Sequence, residues 1–121
     1  MRAEWKHVDD EQCRLFHVSV ELIGRRWSSA ILLAVAQGAR RFSEIHGSVP
    51  GLSDRMLAQR LRELSAAEIV IRDVVPSTPV QVTYRLTARG RELMAALQPL
   101  VRWGLRWQGE DEEAEAERDA G

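Results

Sequence analysis

The clearest alternation of apolar and polar positions runs from residue 40 to residue 64. Pro50 and Gly51 divide this stretch, because the dipeptide favours a turn that a helix does not continue through. Three leucines after the turn recur at the spacing of one helix face: Leu57, Leu61 and Leu64. Ser43 and Ser53 are the expected N-caps of the two flanking helices. The pattern predicts a helix–turn–helix.

The second of these helices carries a polar row at the same spacing, on a different face. The row consists of Arg55, Gln59 and Arg62. Arginine can contact guanine edges, glutamine can contact adenine edges, and both can reach phosphates. The row therefore suits the major groove of DNA. From this helix alone, an ordinary surface helix with solvated charges is an equal alternative.

Two helices are predicted before this motif. Apolar positions indicate a first helix over residues 14–23, which Gly24 ends. Ser28 or Ser29 is expected to cap a second helix over residues 30–36. This second helix is apolar nearly all round, which predicts that it lies at the centre of the core.

A change of period follows the motif. Residues 69–75 are rich in β-branched side chains and residues 80–86 alternate strictly, so they predict a β-hairpin around the loop 76–79. Thr87 is the expected cap of a long last helix, in which Pro99 can introduce a kink. The fold class is mainly α with a small β-hairpin wing, a winged helix–turn–helix.

The chain divides into an N-terminal arm over residues 1–12, a domain over 13–109 and an acidic tail over 110–121. The tail holds seven of the 18 acids and one of the 17 bases, which predicts disorder or a short extension of the last helix. The rest holds 16 bases and 11 acids, a net charge of +5 by this count. All bases but Lys6 are arginine, which suits bidentate contacts to phosphate.

The composition excludes several classes of protein. With 121 residues there is room for one domain, and no apolar run approaches the roughly 18 residues that span a membrane. The polar N-terminus is unlike a signal peptide. Cys13 is the single cysteine, so an internal disulfide and a cysteine-based zinc cluster are excluded. No catalytic set appears, and we expect a cytoplasmic protein that is not an enzyme and needs no cofactor or metal.

Five blocks of sequence stand in a specific order and spacing: IGRRW at 23–27, GARRFSEI at 38–45, PGLS at 50–53, LAQRLREL at 57–64 and VTYRLTARG at 82–90. Together they resemble the HxlR-type transcriptional regulators, winged-helix relatives of the MarR class, over roughly residues 13–107. The resemblance implies a homodimeric bacterial DNA-binding regulator. Its recognition helix would enter the major groove, its wing would touch the backbone or minor groove, and its terminal helices would form the dimer.

The sequence departs from the family pattern at three positions. Arg14 follows Cys13 where the family often has proline. Glu68 stands in the turn after the recognition helix where the family has glycine; a left-handed non-glycine residue costs roughly 1 kcal/mol, so we expect this turn to be built differently. Ala58 replaces a polar residue, which removes one potential groove contact and predicts a different bound sequence.

The candidate DNA-binding residues come from the helix–turn–helix and the wing. They are Arg40, Arg41, Ser53, Asp54, Arg55, Gln59, Arg62, Arg72, Thr78 and Arg85. Arg40 and Arg41 precede the motif, where phosphate contacts are favoured over ordinary surface charges. Arg41 can equally hold the turn together with a carboxylate. For the two wing arginines, a contact to DNA and an ion pair with Asp73 or Glu68 are equal alternatives.

The candidate dimer interface lies on the first and last helices, because a chain this short leaves the last helix undercovered without a partner. Its expected residues are Leu15, Val18, Leu97, Leu100, Val101, Trp103 and Trp107. Trp103 and Trp107 are four residues apart on one face, which favours an interface over a ligand cage.

The candidate effector residues are Cys13, Trp27 and Trp103. Some relatives use a cysteine at this place as a thiol sensor. Arg14, Arg25 or Arg26 would favour the reactive thiolate, whereas Asp9, Asp10 and Glu11 would oppose it. A buried, inert cysteine is the alternative, with a small apolar ligand near Trp27 and the terminal helices as effector. Trp27 also abuts the central helix and favours a core role.

We therefore expect a homodimeric repressor that binds a pseudo-palindromic operator in double-stranded DNA and responds to a small ligand or to oxidants and electrophiles. Two alternatives use the same fold. One is a winged-helix protein-interaction module, against which the arginine row argues. The other is a ligand-binding dimer with a secondary role on DNA.

Overall fold

A computed structural model describes residues 9–120 of the chain. Five helices and two strands follow in order: α1 Asp10–Gly24, α2 Ser28–Ala36, α3 Phe42–Ser48, α4 Asp54–Ala66, β1 Val70–Val75, β2 Gln81–Leu86 and α5 Ala88–Ala120. The order confirms the winged helix–turn–helix. Among these residues, no helix is both long and apolar enough to cross a bilayer. Trp5 and most of the predicted arm lie outside the described residues.

Helix α2 occupies the centre of the core, because Ile31 and Leu32 are completely buried. The predicted central position is thus confirmed, although one side of the helix is not covered, since Leu33 is 50% exposed. The helix also begins earlier than predicted, at Ser28. Its N-cap is Trp27, which takes a left-handed conformation with φ of 78° and offers no side-chain oxygen to the helix. The remaining core residues come from α3, α4, the turns around them and β1.

The helix–turn–helix consists of α3 and α4, joined through the turn at Gly51. Arg41, not Ser43, is the N-cap of α3, because the Glu44 carboxylate accepts a hydrogen bond of 3.0 Å from the Arg41 backbone N–H. Ser53 caps α4 as predicted, and its Oγ accepts from the Met56 N–H at 3.1 Å. The predicted leucine stripe of α4 is buried, at 0–2% exposure.

The turn after α4 keeps the left-handed geometry despite its missing glycine. Glu68 has a φ of 59°. The Ile69 N–H donates to the Leu64 carbonyl at 2.9 Å, and the Glu68 N–H donates to the Ser65 carbonyl at 3.0 Å. These two bonds form a Schellman motif, closed by the buried side chains of Leu64 and Ile69. The expectation of a differently built turn is therefore wrong, because burial and hydrogen bonding outweigh a strain of about 1 kcal/mol.

Strands β1 and β2 pair antiparallel, with Arg72 opposite Tyr84. The hairpin is attached to the domain at the middle of β2, where the Tyr84 N–H donates to the Arg40 carbonyl at 2.7 Å. Thr87 caps α5 as predicted, since its Oγ1 accepts from the Gly90 N–H at 3.0 Å. The same hydroxyl donates to the Glu68 carbonyl at 2.6 Å and so joins the wing to the turn after α4.

The terminal helices extend further than the sequence suggested. Helix α1 begins at Asp10, within the predicted arm, because the Asp9 carboxylate caps it by accepting from the Gln12 N–H at 2.7 Å. Helix α5 contains Pro99 and continues for 33 residues to Ala120, about 50 Å. The tail predicted to be disordered is thus helical through Ala120. Alanine and glutamate are strong helix formers, which explains the extension.

Candidate nucleic-acid interface

The exposed side of α4 carries the predicted reading row. Arg55, Gln59 and Arg62 are all exposed. At 3.6 residues per turn they lie opposite the buried leucine stripe. The stripe fixes the rotation of α4 about its own axis, so the row points away from the core. The Ser53 cap leaves the first turn of α4 at the surface, where a helix N-terminus can approach phosphate.

The recognition helix and the wing share one groove. A cavity of about 390 Å³ lies between α3, α4 and the hairpin, and its lining includes Arg62 of α4 and Arg72 of β1. Phe42 and Tyr84 contribute its aromatic surface. Arg72 lies on the strand face shared with Tyr84, because the two residues are paired across the strands. The structure therefore brings together two arginines that are ten positions apart in the sequence.

A second groove lies on the other side of β2. Arg40 and Arg41 line a cavity of about 470 Å³ together with Gln81 and Thr83 of the wing. The bond from the Tyr84 N–H to the Arg40 carbonyl fixes the backbone between the two grooves. Basic side chains therefore flank the wing strand on both sides.

Ion pairing separates the arginines into two groups. Among the side chains that the structure describes, Arg40, Arg55, Arg62 and Arg72 have no carboxylate within ion-pair distance. Several others are paired: Arg25 and Arg60 with Glu63, Arg85 with Asp73, and Arg89 with Glu68. Arginines outside the predicted contact surface, such as Arg14, Arg91 and Arg102, also lack an ion pair among the described side chains. Ion pairing therefore does not mark the contact surface, but it leaves the charge of these four arginines available to phosphates.

Three predicted contact residues have other partners or lie apart from the grooves. Arg85 Nε donates to the Asp73 carboxylate at 2.8 Å, which is the ion pair that the sequence left as an alternative. Asp54 lies beside the His46 imidazole, at 3.3 Å, and joins the two helices of the motif. Thr78 is exposed in the loop at the end of the hairpin.

The family model for HxlR-like helix-turn-helix proteins matches residues 22–112. The chain belongs to the HxlR-like helix-turn-helix family. It is therefore a DNA-binding transcriptional regulator and not an enzyme. The HTH-type transcriptional regulator YodB of Bacillus subtilis is 42% identical to it over 96 residues, which is 79% of this chain and 86% of YodB.

Solved structures agree with this membership. The crystal structure of diamide-treated YodB from B. subtilis has a TM-score of 0.70 and 40% identity, and covers 78% of this chain and 93% of that one. The redox regulator HypR in its oxidized form has a TM-score of 0.68 and 33% identity, and covers 74% of this chain and 93% of that one. A MarR-family regulator from Enterococcus faecalis V583 has a TM-score of 0.76 and 25% identity, and covers 92% of this chain and 99% of that one.

In this HxlR-like regulator, Cys13 is exposed in the first turn of α1. Two of the arginines that the sequence placed near it lie elsewhere. Arg25 and Arg26 follow the other end of α1, about 18 Å away along the helix. They cannot act on the thiol of their own chain, which leaves Arg14 as the adjacent base.

The predicted effector role of Trp27 competes with a packing role. Its ring reaches the turn of the helix–turn–helix: a Cβ built on Gly51 would lie 3.5 Å from Trp27 Cη2. The Arg26 guanidinium covers the ring at 4.9 Å from its centroid. Trp27 is thus packed between α2 and the turn, whereas Trp103 is 59% exposed on α5.

Both terminal helices of the HxlR-like chain carry large apolar side chains on their surface. On α1 these are Leu15, Phe16, Val18 and Val20, each between 46% and 58% exposed. On α5 they are Leu100, Val101, Trp103, Leu105 and Trp107, between 46% and 72% exposed. Phe16, Val20 and Leu105 were not among the predicted interface residues, whereas Leu97 is partly buried within the chain.

Sequence reasoning also missed residues beside the reading row. Glu63, Ser65 and Tyr84 border it or line its groove, and Arg60 lies behind it. For Glu63 and Arg60 the sequence did indicate a contact. Glu63 follows Gln59 by four residues and Arg60 by three, and side chains at these spacings meet on a helix.

Proposed function

We propose that this HxlR-like regulator is a homodimeric repressor of a pseudo-palindromic operator. The observation that carries the proposal is the exposed row Arg55, Gln59 and Arg62 on a helix whose Arg62 shares a groove with Arg72 of the wing. Helix α4 would lie in the major groove, with the wing on the adjacent backbone. Half-sites would lie about 10 base pairs apart or a multiple of that distance. Such a regulator would act in the cytoplasm, beside the bacterial chromosome.

Individual residues take different roles in this proposal. Gln59 and Arg62 read base edges, while Arg40, Arg41 and Arg72 hold phosphates. Arg55 and the Ser53 turn approach the backbone where α4 enters the groove, and Thr78 reaches it from the end of the hairpin. Arg85 and Asp54 are left out, because both already contact residues of their own chain.

The dimer of this proposal uses the exposed apolar surfaces of α1 and α5. Trp103 and Trp107 would be its central anchors, since aromatic side chains dominate interface energetics. A two-fold arrangement of these surfaces presents two copies of α4 to one side of the DNA. This arrangement matches a pseudo-palindromic operator.

The first prediction tests DNA reading. Affinity for the protein's own promoter region should fall steeply as salt rises from 50 to 200 mM, because each neutralised phosphate releases counterions. Arg62→Ala should weaken specific binding by about 1–3 kcal/mol if Arg62 contacts a base. Fluorescence anisotropy with a labelled promoter fragment measures both effects.

Arg118→Ala is the matched control. It removes the same charge near the end of α5 and should leave the affinity within about twofold. Binding that does not change with salt would contradict the proposal. So would equal losses in the two variants, because a loss of net charge alone would then explain both.

We further propose that Cys13 makes this regulator responsive to oxidants. The related YodB is known in reduced, diamide-treated and quinone-bound structures, and HypR in reduced and oxidized forms. In this chain Cys13 is exposed on α1, the helix that carries part of the proposed dimer surface. A modification there would act directly on the arrangement of the two reading helices.

The chemistry has few outcomes, because Cys13 is the single cysteine of the chain. Diamide can take two electrons and two protons from two thiols as a sulfur–sulfur bond forms. The two thiols would belong to the two subunits, or one to Cys13 and one to a small thiol. A quinone would instead form a covalent adduct with the Cys13 sulfur, with the thiol proton transferred to the quinone.

The second prediction is that Cys13→Ser keeps its DNA in diamide, while the wild type releases it. Serine has nearly the same size and cannot form either product, so binding without oxidant should be unchanged. A gel shift with and without diamide, followed by dithiothreitol, measures release and recovery. If Cys13→Ser still releases DNA, or the wild type never does, the thiol mechanism is wrong. Ligands for the cavity of about 450 Å³ between α1 and α4 would then be tested.

A further inference from the structure

The Glu63 carboxylate accepts hydrogen bonds from several side chains on the side of α4 that faces away from the wing. Glu63 Oε1 accepts from Arg25 Nη1 at 3.2 Å and from Arg60 Nη1 at 3.1 Å. Its Oε2 accepts from the same Arg60 nitrogen at 3.1 Å. Glu63 Oε1 also accepts from the amide nitrogen of Gln59 at 3.4 Å. A side chain of the reading row is therefore joined to this cluster.

The cluster is anchored outside α4. Arg60 is only 11% exposed, and its Nε donates to the Arg26 carbonyl at 2.9 Å. Arg25, from the same turn between α1 and α2, reaches Glu63 directly. Two arginines from different parts of the chain therefore hold the carboxylate in place without any contact to DNA.

The fixed carboxylate determines which way the Gln59 amide faces. A carboxylate accepts hydrogen bonds and donates none, so it attracts the amide NH₂ and repels the amide oxygen. One N–H of Gln59 is directed to Glu63, and the other N–H and the oxygen remain free. Adenine offers an acceptor at N7 and a donor at N6 in the major groove, which a glutamine amide matches with one N–H and its oxygen.

We propose that Glu63 is a positioning residue that orients the Gln59 amide and so sets a preference for adenine at one position of each half-site. The proposal rests on the proposed function, because it requires Gln59 to read a base. Glu63 itself does not need to touch DNA.

Glu63→Gln is the most informative variant. It preserves the size of the side chain, but its amide can donate as well as accept, so the Gln59 amide can take either orientation. Selection from a pool of random DNA duplexes, followed by anisotropy on the selected site and its single-base substitutions, measures the preference. We expect the wild type to prefer adenine by about tenfold at the position that depends on Gln59, and Glu63→Gln to lose most of that factor. Affinity for non-specific DNA should stay within about twofold.

The Gln59→Ala background separates positioning from a purely structural role. In that background, Glu63→Gln should leave the base preference unchanged, because the side chain that it orients is gone. A further change of base preference there would overturn the proposal. The proposal would also be overturned if Glu63→Gln weakened specific and non-specific binding equally, with a matching fall in melting temperature. A wild type that selects no DNA sequence would refute the proposed function as well, whereas selection without dependence on Gln59 would refute only the positioning role.

Discussion

Trp103→Glu should convert the protein from a dimer to a monomer and lower its affinity for a two-half-site operator on the order of 10³-fold. The tryptophan is 59% exposed within one chain, so its removal leaves the core of the domain intact. A glutamate at this place would bury an unpaired charge in the proposed interface, which costs several kcal/mol. The loss on DNA is larger than any single contact, because the second half-site would no longer be bound at a high effective concentration.

Sedimentation velocity at micromolar concentration and a titration of the operator measure the two effects. Arg102→Gln is the matched control, since it changes the net charge by the same −1 at an exposed position on the polar side of α5 and should remain a dimer. Circular dichroism checks that both variants are folded. A Trp103→Glu variant that sediments as a dimer would show that the interface lies elsewhere.

Gly90→Ala should destabilise the folded protein by about 1–3 kcal/mol, the usual cost of forcing an atom into a packed site. A Cβ on Gly90 would overlap the backbone carbonyl oxygen of Ile69. That carbonyl cannot move freely, because it also accepts a hydrogen bond from the Thr87 N–H at 3.0 Å. The junction of recognition helix, wing and α5 would have to open.

Thermal unfolding at equal protein concentration measures the effect, with a fall in melting temperature of roughly 4 °C for each kcal/mol. Gly47→Ala is the control, because a Cβ on this helical glycine meets nothing within 4 Å. Alanine has the higher helix propensity, so this variant should be as stable as the wild type or more so. Equal melting temperatures for the two variants would contradict the clash at Gly90.

The sequence predicted those parts of the fold that depend on local signals. The Ser53 cap and the leucine stripe of α4 are set by residues within a few positions of one another, and both are confirmed. The reading row followed from the stripe, because a helix buried on one side exposes the other. The alternating run of β2 likewise placed Arg85 and Tyr84 on opposite faces of the hairpin.

Features that depend on distant residues could not be predicted. Trp27 takes a left-handed conformation at the start of α2, and it is packed against a turn 24 positions later in the chain. Arg60 meets a carbonyl 34 positions earlier. No local pattern encodes either distance. The shift of the α3 cap from Ser43 to Arg41 has a different cause. The Glu44 carboxylate accepts a backbone N–H at the helix N-terminus, where the Ser43 hydroxyl was expected to be the acceptor.

The hydrogen bond between the Tyr84 N–H and the Arg40 carbonyl fixes the position of the wing relative to the helix–turn–helix. The fold, and not the DNA, therefore sets the distance between Arg62 on α4 and Arg72 on β1. Inserting one base pair between the two contacted positions of an operator would rotate one contact by about 34° around the duplex axis. If Arg62 and Arg72 contact DNA as proposed, a fixed distance between them cannot follow that rotation, and we expect the protein to select the spacing of its contacts as well as the bases.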